Sequence, residues 1–460
     1  MISLKASQIA EIVAGTLKGE DVLVTASPVF DSKKSLPGSL FLALRGENRD
    51  GHDFVSDAFK HGAVLALTTT PVSENCIVVS DVIEALGKLA AFVRSELKDL
   101  TVVAITGSQG KTTTKDLLTH LLSSQAETVA PHGNFNNEIG APLTLLECTA
   151  QTKYCIVEMG ARHEGDIASL CSIAKPNIGV VLRVGKAHLG EFGSQEAIVR
   201  AKSEMISSLS ADAIAVLGGY DDFTPKMSTL HKGRTITFGE APSFEVRATD
   251  IEMREGRPHF DLVTPQGRAA VGLQVVGLHQ VSNALAVAAV GDGLGFTLDS
   301  IAQSLSTAKL SSKWRMELHE FNNKVLINDC YNASPESMEA ALRTLILFAQ
   351  ERGGEAWAFL GKMHELGESS ASDHAAIGTL AQELGVDHLV CIATPEYSQM
   401  ISVKDGQTGA MSIHHCQDVE EAKKLSLTMN PGDVALVKAS RSEHLEVLAE
   451  FLIANSGGSE

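Results

Sequence analysis

At 460 residues the chain is too long for a single hydrophobic core, so two or three domains are expected. A hydrophobic fraction of 44%, with apolar runs no longer than a strand, excludes a membrane-spanning protein. The formal net charge of −18 excludes a nucleic-acid binder, which needs a basic face, and requires local cations wherever a phosphate compound is to be held.

The first residues, Met1 to Lys5, lack the regions of a secretion signal. The seven cysteines are scattered and contain no C-x-x-C pair, so reduced thiols in a cytoplasm are expected, without a structural zinc. Strand-like runs alternate with amphipathic stretches almost throughout, the pattern of α/β folds. Residues 1–98 read as a small N-terminal domain with strands over 40–44 and 63–67 and a helix over 82–97. A buried strand over 101–106 opens a central domain, 99–310, with further strands over 154–157, 178–182 and 213–217. Helical runs over 283–290 and 298–305 complete it. The pattern restarts after Ser311 and Ser312, giving a domain over 311–460. Its strands are expected over 324–327, 356–360, 388–392 and 434–438, and its helices over 335–348, 374–384, 418–428 and from 442. Such alternation predicts a small doubly wound, Rossmann-like unit.

The sharpest motif follows the strand over 101–106. Gly107, Ser108, Gln109 and Gly110 lead into Lys111, Thr112 and Thr113, and then into the apolar-periodic Leu117, Leu118, Leu121 and Leu122. A strand running through glycines directly into a helix aims backbone N–H groups and a helix N-terminus at an anion. Lys111 would reach the β- and γ-phosphates of ATP, and the Thr112 hydroxyl would ligate Mg²⁺. Ile105 stands where the longer Walker pattern has its first glycine, so this is the tighter T-G-x-x-G-K-T form. Glu158 ends the strand over 154–157. Taken alone, an acid at a strand end is a solvated turn; beside a phosphate loop it becomes an oxygen ligand for Mg²⁺.

These residues resemble a known family. The phosphate loop, the stretch Gly133, Asn134, Asn137, Gly140, Pro142, and the Glu158–Gly160 turn follow the order and spacing of the Mur ligases. So do His188 after Gly185, Lys202 with Glu204, His279 with Asn283, Arg315, Asp329 with Asn332 and Pro335, and Lys438 with Arg441. The stretches around Asp329–Met338 and Leu360–Gly367 look like the family members that add D-alanyl-D-alanine to a UDP-N-acetylmuramoyl-tripeptide. The D-N-P-[RA] signature of the lysine- or diaminopimelate-adding members is missing. The stretch from Asp31 and Ser32 to Phe41 is similar to the family's UDP-substrate domain.

The resemblance implies three α/β domains (UDP-substrate domain, central P-loop domain, Rossmann-like ligase domain) and an amide ligase working through an acyl phosphate. It implies ATP and two Mg²⁺ ions, held by Thr112, Glu158, His188 and a Lys202 carbamylated by CO₂. An ammonium at Lys202 would repel the metal whereas a carbamate would bind it, so a neutral amine with lowered pKa is required. Asn283 would touch adenine, Arg315 the phosphates and Asp329 the ribose; Ser32, Asn134, Asn137, Asn332, Lys438 and Arg441 would hold the other substrates. Neither nucleic acid nor membrane is an expected partner, and a monomer is expected. Four positions depart from the family pattern: Arg183 in place of asparagine, Asn328 in place of an acid, Ala439 in place of glycine and Lys33 in place of arginine. Arg183 would set a permanent cation near the second metal. Alternatives are a ligase adding lysine or diaminopimelate to a muramoyl dipeptide, a folylpolyglutamate synthase-like ligase, a nucleotide switch (against which the lack of N-K-x-D counts), and an inactive binding subunit.

Overall fold

The structure, a computed structural model, describes residues 1–46, 49–133, 135–185, 189–401 and 411–454. Near the N-terminus a four-stranded sheet runs in the order Thr16–Lys18, Cys76–Val78, Ala63–Thr68, Ser39–Leu42, beside the short pair Leu4–Lys5 and Leu23–Val24. The helix Val82–Glu96 follows, capped by Asp81, whose Oδ1 accepts the Glu84 amide at 2.8 Å. Its apolar stripe, Val82, Leu86, Leu89 and Val93, is buried in a core shared with the next sheet.

That sheet has nine strands. From one edge they run Gly267–Gly272, Arg257–Thr264, Val246–Arg254, Arg234–Gly239, Ile214–Gly218, Ile178–Val181, Thr101–Thr106, Tyr154–Glu158 and Thr128–Val129. The seven strands from Val246–Arg254 to Thr128–Val129 run parallel to one another, and the two pairings at the Gly267–Gly272 edge are antiparallel. Thr101–Thr106 lies near the middle with both faces covered, which is why it reads as a continuous apolar run. Val102 and Ala104 point into the core containing the helix Val82–Glu96, while Val103 and Ile105 point into the opposite one. Ile105, at the would-be glycine position, is therefore a fully buried strand residue.

The C-terminal sheet has six strands, in the order Glu317–Phe321, Lys324–Asn328, Val434–Lys438, Ala356–Leu360, His388–Ile392, Ser412–Cys416. Only the first pair is antiparallel. Helices Pro335–Arg352, Ser370–Leu384, Val419–Ser426 and Glu446–Ala454 accompany it. The α/β architecture with parallel central strands agrees with the sequence reading. The antiparallel extension over 246–272 and the edge strand Ser412–Cys416 were not foreseen. Their residues alternate between a buried and an open face that carries arginines and histidines, and they lack the unbroken apolar density of the central strands. No helix among the described residues is long and apolar enough to cross a membrane. All seven cysteines are buried and free.

Candidate active site

The turn after Thr106 sits at the carboxyl end of the parallel strands, where open α/β sheets form their clefts. Gly110 caps the helix Lys111–Ser123 with φ +82°, and a side chain there would run into Asn283 Oδ1, so only glycine fits. The loop is pinned from behind. The Ser108 amide donates to Arg183 O at 2.9 Å, and the Gly185 amide donates to Ser108 Oγ at 2.8 Å. Lys111 folds back over the loop, donating through Nζ to Gly107 O at 2.8 Å.

Thr112 and Glu158 meet in front of the loop. The Thr112 hydroxyl donates to Glu158 Oε2 at 3.0 Å, and Asn136 Nδ2 donates to Glu158 Oε1 at 2.9 Å. Both carboxylate oxygens are thus oriented, and Glu158 is only 1% exposed. Arg315, from beyond the central sheet, donates through Nη2 to Thr112 Oγ1 at 2.9 Å while its guanidinium lies 3.9 Å above the Tyr331 ring. Two lysines stand close by. Burial pushes the Lys111 amine down, against Glu158, which raises it, with Arg315 lowering it further. Lys202, buried on the helix Gln195–Ser207, is lowered to about 7 by burial and then by Lys111.

The C-terminal unit closes over this loop. Gln109 Nε2 donates to Ser334 Oγ and Glu336 Oε2, both at 3.2 Å, and the Gly190 amide donates to Glu365 O at 3.2 Å. A cavity of about 960 Å³ is left, walled by Phe30 from the N-terminal unit, the phosphate loop, Glu158, Lys202, Arg315, Asp329, Asn332, Lys438 and Arg441. A chamber of about 40 Å³ adjoins it between Gly110, Arg183, Phe238, His279 and Asn283. The His279 imidazole is held to about 4 by burial, with Asp329 opposing and Lys438 and Arg183 reinforcing.

Three family models match successive stretches of the chain: the Mur ligase family catalytic domain over 29–94, the middle domain over 105–291 and the glutamate ligase domain over 314–441. The UDP-N-acetylmuramoyl-tripeptide–D-alanyl-D-alanine ligase of Mycobacterium bovis is 38% identical over 99% of this chain and 98% of its own length. The chain belongs to the Mur ligase family. The Escherichia coli enzyme of the same description is 34% identical, with 99% of each chain covered. Among solved structures, MurF from Acinetobacter baumannii superposes with a TM-score of 0.89 at 32% identity over 99% of each chain. MurF from Thermotoga maritima in complex with ADP gives 0.80 at 32% identity, over 94% of this chain and 98% of that one. The likeness is thus to Mur ligases of the MurF type, over their full length.

Within this Mur ligase, Gly107 to Thr113, Glu158, Lys202, Asn283, Arg315, Asp329, Asn332, Lys438 and Arg441 lie in the residues around one cavity or next to it. Several are already committed to each other. Lys438 Nζ donates to Asp329 Oδ2 at 2.5 Å and to Asn332 O at 2.9 Å, and Asp329 Oδ1 accepts the Met316 amide at 3.2 Å. Arg441 pairs with Glu446 at 2.7 Å and lies 4.3 Å above the Trp314 ring. Asn283 donates to Gln280 Oε1 at 2.7 Å and accepts from Thr114 Oγ1 at 3.3 Å, keeping one N–H and one lone pair for a ligand. Asn137 lines the cavity, but its Oδ1 accepts the amides of Ile139 and Gly140 at the start of the helix Gly140–Glu147. Ser32 is away from the wall, its hydroxyl donating to Asp57 Oδ2 at 2.7 Å, whereas Phe30 reaches the cavity. His188 and Asn134 lie outside the described residues.

The sequence reading missed Asn136, which orients Glu158; only its place between two named asparagines hinted at it. It also missed His364, whose amide donates to Ser440 Oγ at 2.9 Å and whose Nε2 lies 2.5 Å from Glu443 Oε1 at the cavity wall. Nothing in the sequence pairs those two. Among the described residues there is no cluster of three His, Cys, Asp or Glu fit for a metal. The oxygen donors of Thr112 and Glu158, 3.0 Å apart at the cavity, are nonetheless the hard ligands Mg²⁺ prefers.

Proposed function

We propose that this Mur ligase binds ATP and joins D-alanyl-D-alanine to a UDP-N-acetylmuramoyl-tripeptide through an acyl phosphate. The observation that carries this reading is the single cavity in which the phosphate loop, the Thr112–Glu158 pair and Arg315 face residues of the N- and C-terminal units. A carboxylate has no usable leaving group until its oxygen is phosphorylated. In the first step the tripeptide carboxylate oxygen bonds to the γ-phosphorus and the bond to ADP breaks. In the second, the dipeptide amine bonds to the acyl carbon, inorganic phosphate leaves with the electron pair, and the amine loses a proton.

An anion must approach a polyanion, so positioning and positive charge dominate. Lys111 and the loop amides hold the nucleotide's terminal phosphates, and Arg315 brings a further cation as the C-terminal unit closes. Closure also keeps water from the acyl phosphate. Thr112 and Glu158 would hold Mg²⁺, which would neutralise charge on the nucleotide's phosphates. A second ion falls to His188 and to Lys202 as its carbamate; the buried, easily neutralised Lys202 amine suits that modification. Asn283 is assigned to adenine and Asp329 to ribose, with Ser32, Asn137, Asn332, Lys438 and Arg441 on the peptide and UDP substrates. A cytoplasmic monomer is the accompanying reading.

The test is coupled phosphate release with purified tripeptide and dipeptide acceptors, each offered D-alanyl-D-alanine, lysine and diaminopimelate. Turnover is expected only with the tripeptide and D-alanyl-D-alanine. Turnover with lysine or diaminopimelate on the dipeptide, and none with D-alanyl-D-alanine, would replace this assignment.

A further inference from the structure

Behind the phosphate loop, on the helix Lys111–Ser123, lie two charged residues that line no part of the cavity. Lys115 and Asp116 are each only 4% exposed, and their side chains pair at 2.6 Å. Asp116 spends its remaining capacity on the linker to the C-terminal sheet. Its Oδ2 accepts the amides of Ser311 at 3.2 Å and Ser312 at 2.9 Å, and its Oδ1 accepts the Ser311 hydroxyl at 3.0 Å. Lys115 Nζ donates to Ser312 Oγ at 3.3 Å. This linker is the covalent passage from the helix Leu298–Thr307 to the strand Glu317–Phe321.

Three residues beyond Ser312 is Arg315, which reaches Thr112 Oγ1 on the first turn of that same helix. Both neighbours of Arg315 are left-handed without being glycine: Trp314 at φ +61° and Met316 at φ +53°. Such backbone persists only where the surroundings hold it. On one side Asp329 holds the Met316 amide. On the other the Trp314 carbonyl accepts the Tyr331 amide at 3.2 Å and its ring lies under Arg441, and the Asp116 anchor fixes the chain just before it, at Ser311 and Ser312.

We propose that Asp116 is a positioning residue: by fastening Ser311 and Ser312 to the phosphate-loop helix, it holds the strained Trp314–Met316 turn so that Arg315 reaches Thr112. One helix thereby carries the nucleotide loop at its start and the hinge of the closing unit one turn later. The role extends the ligase reading above and rests on it for its kinetic arm only.

The test compares Asp116→Asn and the doubly apolar Lys115→Met/Asp116→Leu, which leaves no buried charge unpaired. Three readouts are taken: kcat for ligation, the dissociation constant for ADP, and acrylamide quenching of tryptophan emission. The chain has two tryptophans, and Trp357 is buried in the C-terminal core, so quenching reports Trp314 beside the hinge. Expected are a quenching constant raised about twofold and a kcat lowered by about 100-fold, the scale of losing one preorganised donor, with ADP affinity within about threefold of wild type. In an Arg315→Ala background the Asp116 substitutions should add nothing further to the loss in kcat. Unchanged quenching in both variants, or losses that multiply with Arg315→Ala, would overturn the proposal. If wild type does not ligate D-alanyl-D-alanine, the quenching arm decides alone, which separates this failure from that of the functional reading.

Discussion

Lys202 offers the most quantitative test of the site. Its amine is brought from 10.5 to about 7 by burial, reinforced by Lys111. At pH 7.5 about three quarters of the chains would then carry a neutral Lys202 amine, against about one in a thousand for an ordinary lysine. Keeping the ammonium in this position costs stability. At about 1.4 kcal/mol per pH unit, the fall from 10.5 to about 7 amounts to about 5 kcal/mol. The sign follows from linkage. The unfolded chain binds the proton up to 10.5 and the folded one only up to about 7, so the penalty is complete below 7, shrinks between 7 and 10.5, and vanishes above. Replacing Lys202 by methionine keeps the apolar stem and removes the charge. In CO₂-free buffer Lys202→Met should melt higher than wild type near pH 7, by on the order of 10 °C if the central unit melts cooperatively. The gap should close steadily towards pH 10. Bicarbonate should raise the wild-type melting temperature and yield a carbamate resonance with ¹³C-labelled CO₂, leaving the variant unmoved. A gap independent of pH between 7 and 10, or a variant less stable than wild type at pH 7, would refute the reasoning.

Three further outcomes are expected. Asn136→Ala should leave folding intact yet raise the Mg²⁺ concentration needed for half-maximal activity by about 10- to 100-fold, because Glu158 loses the partner that orients its Oε1; a metal titration of kcat reads this. Asp329→Ala strands the Lys438 ammonium, whose side chain is 2% exposed, and should cost about 3–5 kcal/mol in thermal or denaturant melts, whereas Lys438→Met/Asp329→Leu should recover much of that. Arg183→Asn should raise the His279 titration midpoint above about 4, since it removes one of the cations that add to the effect of burial, as followed by imidazole resonances.

The legible parts of this molecule were the local ones. The phosphate loop is contiguous in sequence, and Glu158 advertises itself as an acid at the end of an apolar strand. What escaped depends on pairs far apart along the chain. Asn136 meets Glu158 across 22 positions, Lys438 meets Asp329 across 109, and Arg315 meets Thr112 across 203. A residue type alone cannot say which partner will consume it. Lys438 and Asp329 are legible as substrate-contact candidates, but not as a pair that holds each other at the cavity wall. Asn137 is legible as a substrate-contact candidate and lines the cavity, but nothing local shows that its oxygen also accepts two amides leading into a helix. The central strands were readable because burial on both faces demands an unbroken apolar run. Strands over 246–272 bury one face at most, and alternate residues such as Glu252 and Arg254 spend their charge in solvent.

The electrostatics of the cavity follow from which charges are already spent. Lys438 and Arg441 face the opening but are paired with Asp329 and Glu446. Among the described residues, Lys111, Lys202 and Arg315 form no ion pair; Lys111 interacts with Glu158 and Arg315, and Lys202 with Lys111. The phosphate loop is therefore locally positive within a chain of net charge −18, which is what drawing in a nucleotide polyphosphate requires. A carbamate at Lys202 would alter this balance, turning a cation, or the neutral amine that burial favours, into an anion in the cavity that Glu158 also lines. Two anions so placed repel unless a divalent cation lies between them. Carbamylation and Mg²⁺ binding would then each strengthen the other by the same factor, as reciprocity between two bound species demands. The site would be poorly loaded by either alone, and CO₂ affinity measured at Lys202 should rise when Mg²⁺ and nucleotide are present.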